Sequence, residues 1–311
     1  MTSGAEPTRR PRRLAPGARV AVVAPSGPVP DDRLQAGLDI LRGWDLDPVV
    51  APHVLDVHRE FDYLAGTDAD RAADLQRAWC DPDVDAVLCA RGGYGAQRMV
   101  DLLDWDAMRA APPKAFVGYS DITALHEAFA VRLGVSTLHG PMVATADFLK
   151  NPRAQDHLRA TLFEPETVRV IEAVGESSGA LVPGTARGVT LGGCLSLLAA
   201  DLGAVGARGS ARGGLLCLED VGEEAYRIDR YLTQLLRGGW LDGVSGILLG
   251  SWSECDPLRD LLLDRLGGLG VPVAEDFGFG HCAGALTLPL GVPGELDADA
   301  GTLTLAAPAL T

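Results

Sequence analysis

Apolar runs alternate with amphipathic stretches along the first half of the chain. The run 20–24 is typical of a buried strand, and the stretch 31–42 carries Leu34, Leu38 and Leu41 at helical spacing. Further strands are predicted at 49–51, 85–90 and 115–118, with helices that begin after Thr67, near Met99 and at Asp121. Strands that alternate with helices predict a parallel sheet covered on both faces.

The carboxyl ends of parallel strands are where such sheets form their active crevice. Three turns follow predicted strands: Pro25–Pro28, Arg91–Gly95 and Tyr119–Asp121. We therefore expect these turns to meet at one edge of the sheet and to carry the functional residues.

The strand–helix rhythm is lost between Phe163 and Arg187, where Pro165, Gly175, Ser177, Ser178, Gly179, Pro183 and Gly184 accumulate. Beyond it, short strands are predicted at 215–218, 246–249 and 285–288, with an amphipathic helix at 226–236. The predicted organisation is a disordered basic arm at 1–13, an N-terminal domain at 14–163, a linker at 164–186 and a C-terminal domain at 187–311. The predicted class is α/β, with a flavodoxin- or Rossmann-like first domain and a smaller, β-rich second domain.

Composition and charge narrow the function classes. The 311 residues are 47% hydrophobic and 22% charged, and 27 basic against 42 acidic residues give a net charge of −15. Such acidity argues against nucleic acid as a partner. The arginines of the first thirteen residues are followed by Pro16, Gly17 and Arg19 rather than by the apolar region of an export signal, and no run approaches the roughly 18 apolar residues of a membrane span.

Cysteine and histidine spacing gives no metal motif. The six cysteines include no CxxC pair, which favours reduced thiols in a cytoplasmic protein. His53 and His58 lie five apart in a predicted loop, and no HExxH is present. We expect no metal and no organic cofactor.

Ser120 lies on a turn that joins a buried strand directly to a helix. A serine there is projected above the sheet edge beside the N-terminal amides of the helix, which suits a nucleophile with an oxyanion site. The alternative is a simple helix N-cap. Ile122 occupies the last position of the G-x-S-x-G pattern, which disfavours an α/β-hydrolase fold.

The other candidate residues each have a functional and a structural interpretation. Adjacent Gly92 and Gly93 permit close approach to an anionic ligand, or they simply form a tight turn. Glu219 ends an apolar strand and His281 lies in a glycine-rich turn, so they are a candidate carboxylate and base for a serine nucleophile, or a solvated strand end and a structural imidazole.

Taken together, ordered motifs across both halves make the chain resemble the LD-carboxypeptidase family of serine peptidases, which includes the microcin C self-immunity proteins. The motifs are Val23–Gly27, Arg91–Gly95, Gly118–Thr123, His139–Met142, Leu218–Val221, Tyr226–Arg230, Gly280–His281 and Leu288–Gly291. The resemblance implies Ser120 as nucleophile, His281 as general base and Glu219 as its orienting carboxylate. It also implies a site in the cleft between the domains, with the amides of Asp121 and of Gly92 or Gly93 as the oxyanion hole.

The function implied is hydrolysis of the bond to the terminal D-alanine of a murein tetrapeptide in cell-wall recycling, by a cytoplasmic homodimer. Arg91 and Tyr94 are the candidate substrate-binding residues; Arg227 and Arg230 are weaker candidates, because ion pairs with Glu223 or Asp229 would occupy them. Two alternatives stay open: a microcin C immunity-type hydrolase of aminoacyl nucleotides, and a noncatalytic muropeptide- or nucleotide-binding protein. The family usually has asparagine where this chain has Cys194, which puts substrate specificity in question.

Overall fold

Two sheets organise the chain in a computed structural model that describes residues 5–174 and 179–311. The strands are β1 (Arg19–Val23), β2 (Asp47–Val50), β3 (Ala86–Cys89), β4 (Ala115–Gly118), β5 (Thr137–His139), β6 (Val170–Glu172), β7 (Ala180–Val182), β8 (Thr185–Cys194), β9 (Gly214–Val221), β10 (Gly246–Ser253), β11 (Val273–Ala274), β12 (Leu288–Leu290), β13 (Pro293–Asp297) and β14 (Thr302–Leu305). The α-helices are α1 (Asp31–Gly43), α2 (Asp68–Cys80), α3 (Ala96–Met99), α4 (Trp105–Ala110), α5 (Thr123–Ala128), α6 (Ala146–Lys150), α7 (Pro152–Phe163), α8 (Leu195–Ala200), α9 (Ala225–Arg237) and α10 (Arg259–Leu266).

The first sheet has the order β12-β5-β4-β3-β1-β2, and all its strands except β12 run parallel. Side chains of its strands alternate between two cores, because successive residues of a strand point to opposite faces. One core holds Leu34 and Leu38 of α1; the other holds Leu75 and Trp79 of α2. The predicted parallel sheet with helices on both faces is confirmed.

The second sheet has the order β6-β14-β13-β8-β9-β10-β11-β7, and its central strands β8 to β11 run parallel. Buried Ile228, Leu232 and Leu235 of the amphipathic α9 pack on one face. The opposite face is covered by Phe277 and Phe279, which precede the loop that carries His281. This mixed sheet agrees with the predicted β-rich second half.

The C-terminal part of the chain contributes to both sheets. Strand β12 pairs with β5, so it belongs to the first sheet, although the sequence placed a strand at 285–288 in the second domain. Farther on, Ala309 and Leu310 are buried in the core of the first sheet. The pairing is long-range, and apolar periodicity alone does not reveal which sheet a short strand joins.

The stretch predicted as a linker forms the two edges of the second sheet. Strand β6 pairs with β14, and β7 pairs with β11. The predicted turn residues Gly175, Ser177 and Ser178 lie outside the described residues. The two short strands differ from the irregular connection that the sequence suggested, because each takes its hydrogen bonds from a strand about 90 to 130 residues away.

The described part of the N-terminal arm, residues 5–13, follows the protein surface in contrast to the frayed segment that we expected. The amides of Thr8, Arg9 and Arg13 donate to the carbonyls of Gly291, Gly134 and Thr311. Such backbone pairing compensates the ordering of a polar segment, which composition alone did not predict.

Candidate active site

Ser120 begins the short 3₁₀ turn Ser120–Ile122, which connects β4 to α5. Its φ is +64°, a left-handed conformation that costs a residue other than glycine about 1–2 kcal/mol. A Cβ added at Gly118 would lie 2.8 Å from the Ile122 side chain, so the glycine lets Ile122 close over the end of the strand. The turn holds Ser120 at the carboxyl edge of the first sheet in a strained conformation.

The glycine turn after β3 runs directly beside this serine. A Cβ added at Gly92 would lie 3.0 Å from Ser120 Cβ and 3.2 Å from its Oγ. Gly93 has a φ of +113°, a backbone conformation that L side chains rarely adopt. Gly93 is therefore strongly favoured by its backbone conformation, and a side chain at Gly92 would crowd Ser120.

The Asp121 carboxylate joins the three turns that the sequence singled out. Its Oδ2 accepts a hydrogen bond from Ser26 Oγ at 2.6 Å and from the Ala96 amide at 2.8 Å. Burial raises the pKa of Asp121, and these two hydrogen bonds oppose that rise. The first and second turns are thereby fixed to the residue that follows Ser120.

Glu219 and His281 form a buried carboxylate–imidazole pair. Glu219 is fully buried near the end of β9, and its Oε2 lies 2.6 Å from His281 Nδ1. Burial opposes the charged form of each group. For Glu219, the imidazoles of His139 and His281 outweigh this and lower its pKa to about 2. For His281, the hydrogen bond to Glu219 and its charge raise the pKa above 6.5.

Helix α5 brings the serine turn and the Glu219 strand together. The Cys194 amide donates to Thr123 Oγ1 at 3.0 Å, and Cys194 is the register partner of Glu219. A Cβ at Gly193 would lie 2.4 Å from Thr123 Oγ1, so glycine is needed where α5 meets β8. The helix that follows Ser120 is thus seated on the sheet that carries Glu219.

His281 faces an open cleft beside the serine turn. The Tyr119 ring lies edge-on to the His281 ring at 4.9 Å between centroids. Both rings line a cleft of about 550 Å³, together with Lys150 of α6 and Glu254. Among the hydrogen bonds of the described residues, none joins Ser120 Oγ to His281; catalytic hydrogen bonds often tighten only when substrate binds.

The candidate substrate-binding residues lie on the exposed side of the glycine turn. Arg91 is exposed and donates from Nη1 to the Pro28 carbonyl at 2.7 Å. Tyr94 is 48% exposed and stacks edge-on against Tyr63 at 5.8 Å. Both remain accessible to a ligand.

Arg227 and Arg230, the weaker candidates for substrate binding, lie on α9 and contact neighbouring side chains. Arg227 lies 3.8 Å from Glu223 and 3.6 Å from Glu224, as the ion-pair alternative predicted. Arg230 lies over the Tyr226 ring at 5.2 Å, whereas Asp229 pairs with another arginine, Arg265.

Cys194 ends β8 beside Glu219 of β9, and its thiol contacts two polar groups. Its Sγ lies 3.3 Å from both Ser196 Oγ and Asp220 Oδ1, and burial raises its pKa well above the usual value. The thiol therefore stays protonated and donates to Asp220.

His53, one of the two histidines in the loop after β2, lies 3.0 Å from Asp74. Across residues 5–174 and 179–311, no group of three His, Cys, Asp or Glu side chains is arranged to hold a metal ion. In the same part of the chain, no helix combines the length and apolar character needed to cross a membrane.

Several residues of the site lie in the family-like motifs of the sequence, but no function was predicted for them. Ser26, Thr123 and His139 contact partners 71 to 95 residues away in sequence. Their only sequence signal was membership of a motif, because the contacts arise from the pairing of distant strands.

Comparisons with known proteins agree with this architecture. The N-terminal domain of the LD-carboxypeptidase family matches residues 20–140, and its C-terminal domain matches residues 187–296. A Streptomyces coelicolor protein, named only provisionally as a carboxypeptidase, is 80% identical over 97% of each chain. The murein tetrapeptide carboxypeptidase of Pseudomonas aeruginosa is 34% identical, over 88% of this chain and 91% of its own.

A solved structure of the microcin C7 self-immunity protein MccF in complex with aspartyl sulfamoyl adenosine has the same fold. It superposes with a TM-score of 0.88 at 23% identity, covering 97% of this chain and 100% of that one. The matched domains and relatives together show that this chain belongs to the LD-carboxypeptidase family.

Proposed function

We propose that the protein is a serine carboxypeptidase that releases the terminal D-alanine of murein tetrapeptides through an acyl-enzyme. The observation that carries the proposal is the Glu219–His281 pair, at 2.6 Å, opening on a cleft beside the strained Ser120 turn. A buried carboxylate that orients an imidazole beside a serine on a strand-to-helix turn suits acyl transfer. Membership of a peptidase family supports the same reaction class.

Ser120 Oγ attacks the carbonyl of the scissile bond as His281 Nε2 accepts its proton. Glu219 keeps the His281 Nδ1–H directed inward and stabilises the imidazolium that forms. The amides of Asp121 and of Gly92 or Gly93 stabilise the oxyanion. His281 then protonates the leaving amine of D-alanine, and a water molecule hydrolyses the acyl-enzyme by the reverse proton transfers.

The free carboxylate of the substrate requires a cation. Arg91 suits that role by residue type, since guanidinium binds carboxylate with two hydrogen bonds. Lys150 is a second candidate: it lines the cleft beside His281 and makes no ion pair among the described residues. Because His281 donates to the leaving amine, the leaving D-alanine lies on the His281 side, which favours Lys150.

Peptide and peptide amide substrates distinguish the two cations. Lys150→Met is expected to raise KM for a tetrapeptide at least tenfold and to change KM for its C-terminal amide less than threefold, because the amide has no charge to lose. Arg91→Met is the matched control. Equal effects of Lys150→Met on both substrates would show that Lys150 does not bind the carboxylate; a selective effect of Arg91→Met would assign the role to Arg91.

The composition of residues 151–187, which lead from the first domain into the second, favours a murein peptide over an aminoacyl nucleotide as substrate. Nucleobases are usually held by stacked aromatic rings. Phe163 is the single aromatic residue between 151 and 187, and it packs partly buried against the first core with Arg159 over its ring at 5.5 Å. The curated name of the Pseudomonas aeruginosa relative points to the same substrate.

The deciding experiment compares kcat/KM for a murein tetrapeptide and for an aminoacyl sulfamoyl adenylate, with Ser120→Ala as the control for background hydrolysis. We expect the tetrapeptide to be preferred. If the adenylate is better by tenfold or more, about 1.4 kcal/mol in transition-state binding, the microcin C immunity-type activity replaces this proposal.

Covalent labelling distinguishes an enzyme from a noncatalytic binding protein, which a measurement of affinity does not. A serine-reactive phosphonate is expected to label wild-type protein at Ser120 and to leave Ser120→Ala unlabelled. Failure to label folded wild-type protein would favour the binding role. Cytoplasmic localisation and a homodimer are further parts of the proposal, to be checked by fractionation and by sedimentation.

A further inference from the structure

A second imidazole lies behind the catalytic carboxylate. His139 Nε2 is 3.6 Å from Glu219 Oε1, while His281 Nδ1 is 2.6 Å from Glu219 Oε2. The side chains of His139 and Glu219 are 1% and 0% exposed. The carboxylate is thus placed between two imidazoles, one in the cleft and one in the interior.

The buried atoms on the interior side have no other partner. Both ring nitrogens of His139 and Glu219 Oε1 are buried without a hydrogen-bond partner within 3.5 Å among the described residues. Leaving buried polar atoms unpaired is costly, whereas a movement of a few tenths of an ångström would turn the 3.6 Å approach into a hydrogen bond. His139 Nε2, at 3.6 Å, is therefore a candidate donor to Oε1.

The sheet fixes His139 at this position. It ends β5 and is the register partner of Gly118 in β4 and of Leu288 in β12. The rings of Tyr119, His126 and Phe279 surround it, with centroids 5.7 to 6.1 Å away. These three rings and the burial of His139 restrict the movement of its side chain.

We propose that His139 is a positioning residue that donates an Nε2–H hydrogen bond to Glu219 Oε1 and so orients the carboxylate toward His281. The proposal rests on the proposed function, since it assigns His139 a role through the Glu219–His281 pair. The donor does two things. It fixes the plane of the carboxylate. It also draws negative charge toward Oε1, so that less of the charge lies on Oε2, which faces His281.

Charge sharing gives a signed pH effect. Loss of the His139 donor leaves more negative charge on the oxygen that faces His281, which stabilises the imidazolium and raises the pKa of His281 further. The acid limb of activity then moves to higher pH. The other titratable groups around these three side chains are Tyr119, His126, Cys194, Asp220, Glu254 and Cys282.

The test uses the rate of Ser120 labelling by a phosphonate as a function of pH, which needs no natural substrate. His139→Leu keeps apolar bulk without a donor, and His139→Gln keeps a donor. We expect His139→Leu to slow labelling about tenfold and to move the acid limb up by about 0.5–1 pH unit. His139→Gln should recover most of both changes. His157→Leu is the matched control, because the His157 ring accepts from the Thr287 amide, 3.1 Å from its Nδ1, and the change should leave the limb in place.

A purely structural role would give a different result. It predicts that His139→Leu and His139→Gln lose stability together while the acid limb stays where it is in wild type, and that outcome overturns the proposal. If His139→Leu does not fold, nitrogen NMR of the wild-type histidines decides instead. An Nε2–H tautomer of His139 that changes in Glu219→Gln supports the role, and an Nδ1–H tautomer refutes it. If Ser120 is labelled normally but the tetrapeptide is not hydrolysed, the proposed substrate is refuted. The role of His139 is then still decided by the pH dependence of labelling and by NMR.

Discussion

The nucleophile side and the base side of the candidate site are built in opposite ways. Ser120, its strained turn and α5 lie within a dozen residues of one another, directly after a strand in a regular parallel sheet. Glu219 and His281 are 62 residues apart, and their 2.6 Å contact depends on the positions of β9 and of the loop after Phe279. A local turn thus supplies the reactive group, and long-range packing supplies the group that activates it.

The largest effect is expected from a variant that removes the nucleophile and leaves the Glu219–His281 pair intact. Ser120→Ala should lower kcat by about 10⁴–10⁶, the usual cost of losing a nucleophile that acts with a base. Ser120 is small and only partly buried, so its side chain contributes little packing and thermal unfolding should stay close to wild type. Near-wild-type turnover by folded Ser120→Ala would overturn the mechanism.

The base side should behave as one unit. The double variant Glu219→Ala with His281→Ala should be scarcely less active than His281→Ala alone, because residues that act together give non-additive losses. The free-energy cycle from kcat/KM of the four proteins measures this. Fully additive losses would mean that Glu219 does not act through His281.

The same pair sets the pH dependence. The pKa of His281 is raised above 6.5, and only the neutral imidazole accepts the serine proton. Activity should therefore fall as pH decreases through a value above 6.5. In Glu219→Gln, which removes the charge, the acid limb of kcat/KM should move to lower pH; an unmoved limb would show that another group controls it.

These two sides also mark what sequence reasoning could predict. The parallel sheet, the α1 and α9 faces and the position of the Ser120 turn follow from local periodicity, and the structure agrees with them. The catalytic assignments of Glu219 and His281 came from family resemblance and stay predictions, although the structure brings the two side chains together. Strand β12, the edge strands β6 and β7 and the contact of His139 with Glu219 depend on pairings between distant segments, which no local pattern contains.

A smaller effect is expected from a variant that tests the close approach of the glycine turn to Ser120. Gly92→Ala places a methyl group 3.0 Å from Ser120 Cβ, so a neighbouring group must move by a few tenths of an ångström. We expect kcat to fall about 100-fold, comparable to the loss of one oxyanion donor, with KM changed less. Gly43→Ala is a matched control, since a Cβ there meets nothing within 4 Å. Equal kinetics for the two variants would show that the turn tolerates displacement.

The smallest expected effect concerns stability and isolates the strain of the serine turn. At a φ of +64°, alanine pays the left-handed conformational cost of about 1–2 kcal/mol that glycine avoids. Glycine in turn loses about 0.4–1 kcal/mol through the greater freedom of its unfolded chain. Ser120→Gly should therefore be more stable than Ser120→Ala by about 0.5–1 kcal/mol in urea unfolding, although both lack the nucleophile and should be equally inactive. A Ser120→Gly protein less stable than Ser120→Ala would mean that residue 120 is relaxed in solution and that the serine turn stores no conformational strain.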